Sequence, residues 1–234
     1  MTTETRLSDL EILTFDLYGT VVDMQSGLTQ AITPFLENKG YEGRPDRVVT
    51  WWRRTHFEDS MIDALVDKGH TPYREIGHRA LSYTLLRAGI PHTHQEVKDL
   101  VSEIERLRPF PDVVDSLRVL KRRYEIVVLS NGDPDMLENA KPYLGVEFDR
   151  MISVAEAGYF KPHYAAYRTA CELLGAEPSS VMHVANHPFD CLGAKAFGMR
   201  AAYVNRRGRP FGETPYTPDL EVADFGELAT ALAR

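Results

Sequence analysis

An aspartate, a serine–asparagine pair, a lysine and a second aspartate stand at suggestive places in this chain. Asp16 lies in "ILTFDLYGTVVD", where an apolar run delivers a carboxylate into a turn carrying Gly19. Ser130 and Asn131 close "EIVVLSNGDP", Lys161 lies in "GYFKPHYAAY", and Asn186, His187 and Asp190 follow "VMHVA" in "HVANHPFD". A carboxylate can act as a nucleophile or as a proton carrier, and an ammonium can hold it ionised. Each residue taken singly also fits a turn, a helix cap or a solvated loop. Their joint order along the chain is the stronger signal.

The elements that must position them are legible as short apolar runs. "ILTF" at 12–15, "EIVVLS" at 125–130, "VMHVAN" at 181–186 and "AAYVN" at 201–205 read as buried strands, separated by helix-like sequence. That alternation predicts an α/β fold, a Rossmann-like parallel sheet whose strand ends converge on one crevice. Asp133 and Pro134 are placed to start one helix, "HYAAYRTACELLG" reads as another ending at Gly175, and "HPFDCLGAKAFG" as a third ending at Gly198. Residues 24–108 break the rhythm with long helical patterns and no strand, which predicts a helical cap inserted into a core of residues 1–23 and 109–234.

Composition narrows the function classes. The chain has 234 residues, 43% of them hydrophobic, enough for a substantial core. Its 27 basic and 34 acidic residues give a formal charge of -7 with no long basic run, which argues against nucleic acid as a partner. No apolar segment approaches the roughly 20 residues that span a bilayer, and no signal-like start is present, so a cytoplasmic protein without a membrane partner is expected. Cys171 and Cys191 form no CxxC pair, and both read as small buried hydrophobes.

The succession "FDLYGT", "VVLSNGDP", "YFKPHYAAY" and "ANHPFDCLGAKAFGM" closely resembles the haloacid dehalogenase superfamily, and within it the type II, L-2-haloacid dehalogenases. The resemblance covers nearly the whole chain and implies roles. Asp16 would be the nucleophile. Tyr18, Thr20, Ser130 and Asn131 would line the site, with Ser130 holding the substrate carboxylate. Lys161 would orient Asp16, and Tyr167 falls at the family's tyrosine six places later. Asp190 matches the aspartate associated with the ester-hydrolysing water, and Phe189 the aromatic residue before it. Arg53, in "WWRRTHF", falls where the family places the arginine that receives the halide, whereas Arg54 reads as solvated.

One difference separates the chain from the phosphatase branch, and one departure qualifies the resemblance to the dehalogenases. The phosphatase branch carries a second aspartate where this chain has Tyr18, and a carboxylate where it has Asn186. A phosphatase expels an alkoxide and needs that proton donor, whereas a halide needs none. In the fourth motif the family's "SSNAWD" becomes "ANHPFD", so Ala185 replaces a serine and His187 an asparagine. His187 reads equally as a hydrogen-bonding or water-activating group and as a helix-start residue. His183 lies about 13 Å from it along an extended strand, too far to share one metal ion. The resemblance implies a hydrolase that converts a short (S)-2-haloalkanoic acid to the (R)-2-hydroxy acid, with no cofactor or metal and with a 2-halocarboxylate as its small-molecule partner. A homodimer, a magnesium-dependent phosphatase activity and a catalytically silent binding protein stay open.

Overall fold

The computed structural model describes residues 9–233. Six strands form one parallel sheet: β1 (Ile12–Phe15), β2 (Glu125–Ser130), β3 (Arg150–Ser153), β4 (Val181–Ala185), β5 (Arg200–Val204) and β6 (Leu220–Val222). Their spatial order is β3-β2-β1-β4-β5-β6. All four residues of β1 and all five of β4 are buried, as strands covered on both faces require. The expectation of four strands is corrected by the edge strands β3 and β6, whose sequences "RMIS" and "LEV" are short and partly polar.

The chain leaves β1 toward β2 on one side and β4 on the other. Phe15 pairs with Val128 of β2 and with Val184 of β4, and the Asp16 N–H donates to the Val184 carbonyl at 3.0 Å. Asp16 therefore stands just past the carboxyl end of the central strand, at the point where strand order reverses. Open α/β sheets form their crevice there.

Between β1 and Pro109 the chain carries four α-helices, α1 (Met24–Asn38), α2 (Pro45–Val66), α3 (Tyr73–Arg87) and α4 (His94–Ser102). Local chemistry starts two of them. The Asp23 carboxylate accepts the Ser26 N–H ahead of α1, and Thr93 and Glu96 form a reciprocal capping box at α4. The outgoing and returning segments meet at a neck, where the Phe110 N–H bonds the Val21 carbonyl and the Asp23 N–H bonds the Arg108 carbonyl. The remaining helices cover the sheet: α5 (Val113–Leu120), α6 (Pro134–Ala140), α7 (Tyr164–Leu174), α8 (Pro188–Phe197) and α9 (Phe225–Leu232). Gly175 and Gly198 end α7 and α8 in left-handed conformation, as expected.

Asp133 departs from expectation. Its side chain does not cap α6; it accepts the Tyr73 N–H at 2.7 Å and the Arg74 N–H at 3.0 Å. The preceding residue of α3 is Pro72, which has no side-chain acceptor to offer. A core loop thus caps a helix of the insertion.

Candidate active site

Asp16 lies on the wall of a cavity of about 620 Å³ between the sheet edge and the inserted helices. Its Oδ2 accepts the Thr20 hydroxyl at 2.6 Å, and its Oδ1 lies 3.1 Å from Lys161 Nζ. Thr20 is itself fixed, because its Oγ1 accepts the Asn186 N–H at 2.9 Å while the Asn186 side chain donates to the Gly19 carbonyl. Burial opposes ionisation of Asp16, yet the Lys161 charge and the His187 hydrogen bond hold its pKa below the usual carboxylate value. The carboxylate is therefore ionised at neutral pH and available as a nucleophile.

Lys161 is buried, and all three of its ammonium hydrogens have acceptors. They meet Asp16 Oδ1, Asp190 Oδ2 at 2.7 Å and the Leu129 carbonyl at 2.8 Å. Asn131 holds the lysine backbone, its Oδ1 accepting the Lys161 N–H at 2.9 Å. Burial works against charge on Lys161, but the two carboxylates outweigh it and raise its pKa.

Asp190 forms the rear of this network. Its Oδ1 accepts the Tyr167 hydroxyl at 2.7 Å, and His183 Nε2 lies 3.0 Å away without forming a hydrogen bond. The other His183 nitrogen, Nδ1, is 2.9 Å from Thr14 Oγ1 on the neighbouring strand. Burial would raise the Asp190 pKa, but the charges of His183 and Lys161 keep it far below the usual carboxylate range. Asp190 is fully buried and is not on the cavity wall.

The opposite wall comes from the inserted helices. Arg53 on α2 faces the cavity, and its Nη1 donates to Gln25 Oε1 of α1 at 2.9 Å. Desolvation, with the like charge of Arg207, lowers its pKa to about 10, which leaves it cationic. Arg54 touches the cavity mouth, but its side chain is 76% exposed and paired with Glu58. His187 Nδ1 lies 3.2 Å from Asp16 Oδ2. Gly19, at φ +91°, lets the ring approach: a Cβ there would sit 3.0 Å from Arg53 Nη2 and 3.2 Å from His187 Cε1. Phe189 and Phe57 pack with ring centroids 4.2 Å apart, and Tyr18 and Tyr73 stack at 5.7 Å, so aromatic surface closes two sides.

Comparison with known proteins is unambiguous at this level. A family model described as haloacid dehalogenase-like hydrolase matches residues 10–198. The chain belongs to the haloacid dehalogenase-like hydrolases. It is 32% identical to haloacetate dehalogenase H-2 of Moraxella sp. (strain B), over 97% of this chain and 100% of that one. It is 34% identical to an (S)-2-haloacid dehalogenase of Xanthobacter autotrophicus, over 84% and 76% respectively. A solved structure of L-2-haloacid dehalogenase from Xanthobacter autotrophicus with chloropropionic acid covalently bound superposes with a TM-score of 0.84 at 29% identity. That match covers 95% of this chain and 98% of the other.

This haloacid dehalogenase-like hydrolase divides its motif residues between wall and support. Asp16, Tyr18, Arg53, Asn131, Lys161, His187 and Phe189 line the cavity. Thr20, Ser130, Tyr167 and Asp190 do not. Ser130 was expected to hold a substrate carboxylate; its side chain is fully buried and accepts the Gly132 N–H at 3.1 Å, so it shapes the loop behind the wall. Thr20, expected to line the site, bonds the Asp16 carboxylate, and Tyr167, at the family's tyrosine position, bonds that of Asp190. No group of three His, Cys, Asp or Glu side chains with metal-binding geometry occurs among the described residues. The donor set explains why a dication fits poorly: both carboxylates are already paired with Lys161.

Sequence reasoning missed His183, Tyr73, Gln25 and Arg207 as parts of the site. The strand register pairs His183 with Thr14, two residues before Asp16 and so on the same face. That parity was a usable signal for His183. The other three carry no local mark.

Proposed function

We propose that this protein is a hydrolytic dehalogenase that converts a short (S)-2-haloalkanoic acid to the (R)-2-hydroxy acid and halide through an ester on Asp16. The observation that carries this reading is the ionised Asp16 on a cavity wall with a tyrosine, not a carboxylic acid, two residues later. Burial raises the Tyr18 pKa well above its usual value, so Tyr18 is a poor acid for an alkoxide leaving group. A halide departs without a proton.

The geometry suits a single displacement. An Asp16 oxygen attacks C2, the carbon–halogen bond breaks, and the halide leaves on the far side toward cationic Arg53. Tyr18 Oη and Arg53 Nε are buried polar atoms with no hydrogen-bond partner among the described residues, so they are candidates to receive the substrate carboxylate and the halide. The aromatic pair Phe57 and Phe189 offers an apolar seat for the C2 substituent. Lys161 offsets the repulsion between Asp16 and an incoming carboxylate. Water then cleaves the ester at the Asp16 carbonyl carbon, which regenerates the carboxylate. The covalent chloropropionic acid complex of the Xanthobacter enzyme supports an intermediate of this kind.

No described helix is long and apolar enough to cross a membrane, and both cysteines are free and buried. Those facts support a cytoplasmic enzyme. Exposed Trp51, Tyr83 and Leu86 on α2 and α3 would offer apolar surface for a homodimer.

A single turnover in ¹⁸O-water with enzyme in excess tests the reaction. The first product should lack the label while Asp16 acquires it, and an (S)-2-halo acid should give the (R)-2-hydroxy acid. Full label in the first product would refute the ester. Phosphate release that EDTA abolishes, without halide release, would point to a phosphatase instead.

A further inference from the structure

The second half of the proposed reaction moves protons, and the first half does not. Water attacking the Asp16 ester must lose a proton, and the departing hydroxy-acid oxygen leaves as an alkoxide that must gain one. The family-typical water-activating group, Asp190, is badly placed for this task here. It is fully buried behind the cavity wall, and its oxygens meet Lys161, Tyr167 and His183. Its pKa lies far below the usual range, which makes it a weak base.

The other groups on the wall fare no better. Lys161 has donated all three hydrogens. Burial pushes the Tyr73 hydroxyl up to about 13 and Tyr18 well above its usual value. Arg53 stays cationic at about 10. Asp46 sits at the mouth with its carboxylate held by Arg44 at 2.6 Å.

His187 remains. It is the N-cap residue of α8, but its side chain makes no capping bond. An ionised carboxylate only accepts hydrogen bonds, so the nitrogen 3.2 Å from Asp16 Oδ2 must be Nδ1–H. In the neutral ring this leaves the Nε2 lone pair free, and the Cε1–Nε2 edge lies beside Gly19 in a residue that lines the cavity. The charged groups facing the ring are Asp16 from the end of β1 and Arg53 from α2.

We propose that His187 is the catalytic proton shuttle of ester hydrolysis in this chain, acting on the Asp16 ester of the proposed dehalogenase reaction. As the water oxygen bonds to the Asp16 carbonyl carbon, Nε2 takes one water proton. The tetrahedral centre collapses, the bond from that carbon to the product oxygen breaks with its electron pair, and the imidazolium protonates that oxygen. The second water proton, left on the new Asp16 carboxyl, passes to solvent because Lys161 favours the ionised form.

The test is pre-steady-state halide release from (S)-2-chloropropionate by wild type and His187→Asn, with intact-protein mass spectrometry after the burst. Asparagine keeps an N–H donor to Asp16 but cannot take up and release a proton as imidazole does. The expected result is a halide burst stoichiometric with enzyme, steady-state turnover lower by about 100-fold or more, and protein bearing the propionate ester. Wild-type turnover in His187→Asn would overturn the proposal. So would loss of the burst itself, which would place His187 in the displacement step. His187→Gln carries the same test if the asparagine variant fails to fold. A wild-type protein that releases no halide would sink the dehalogenase reading as well, whereas a normal wild type with an unaffected variant sinks this proposal alone.

Discussion

Asp133→Ala is expected to weaken both the fold and substrate binding, although Asp133 is not on the cavity wall. Its carboxylate takes the first two N–H groups of α3, from Tyr73 at 2.7 Å and Arg74 at 3.0 Å. Helix-start N–H groups have no intrahelical acceptor, and Pro72 supplies no substitute. Losing a capping acceptor costs about 1–2 kcal/mol. A buried N–H left unpaired adds about 1 kcal/mol or more. A total of about 3 kcal/mol corresponds to a melting point lower by roughly 6–12 °C for a chain of this size. Asp133→Asn keeps one carbonyl acceptor and should lose about half as much. Tyr73 stacks on Tyr18 and on His56, whose centroid is 4.0 Å away, and it forms part of the cavity wall. A loosened α3 start should therefore raise KM more than it lowers kcat. Thermal unfolding and initial-rate kinetics on the three proteins read both effects. A melting point for Asp133→Ala equal to that of wild type would refute the capping argument.

Arg53→Ala should lower turnover by roughly 100-fold while Arg54→Ala changes it little, since adjacent helical residues point about 100° apart and only Arg53 has unpartnered, buried polarity on the wall. Equal losses in both variants would remove the halide-receiving role from Arg53. The acid limb of stability follows from Asp16 and Asp190, whose folded pKa values are both depressed. Their contribution is present above the unfolded carboxylate pKa of about 4 and is lost as pH falls below it, so melting temperature should drop on acidification, with a shallower fall in Asp190→Asn. Identical slopes in wild type and Asp190→Asn would contradict that assignment.

The central strands were legible because a parallel sheet covered on both faces demands continuous apolar runs, which β1, β2, β4 and β5 supply. The edge strands escaped notice for the complementary reason. β3 begins with exposed Arg150, and β6 has three residues of which Glu221 is exposed, so neither needs an apolar signature. The inserted helices were legible from their period, but not the bonds that anchor them. The link from Asp133 to α3 joins residues 60 apart in sequence, and a cap read locally assigns it to the wrong helix.

For the site, motif order brought Asp16, Lys161 and Asp190 together, yet it could not tell a residue that acts from one that supports. That distinction rests on hydrogen-bonding capacity left over after folding. Lys161 has spent all its hydrogens, Ser130 and Tyr167 face inward, and both Asp190 oxygens are occupied. Arg53 keeps an unpartnered Nε, Tyr18 an unpartnered hydroxyl, and His187, which lines the cavity, uses only Nδ1 in its hydrogen bond to Asp16. Spare capacity on a buried wall is costly unless a ligand uses it. The residues that keep it are therefore the ones from which substrate contact and proton transfer should be sought, and the saturated ones are those that hold Asp16 ionised and in place.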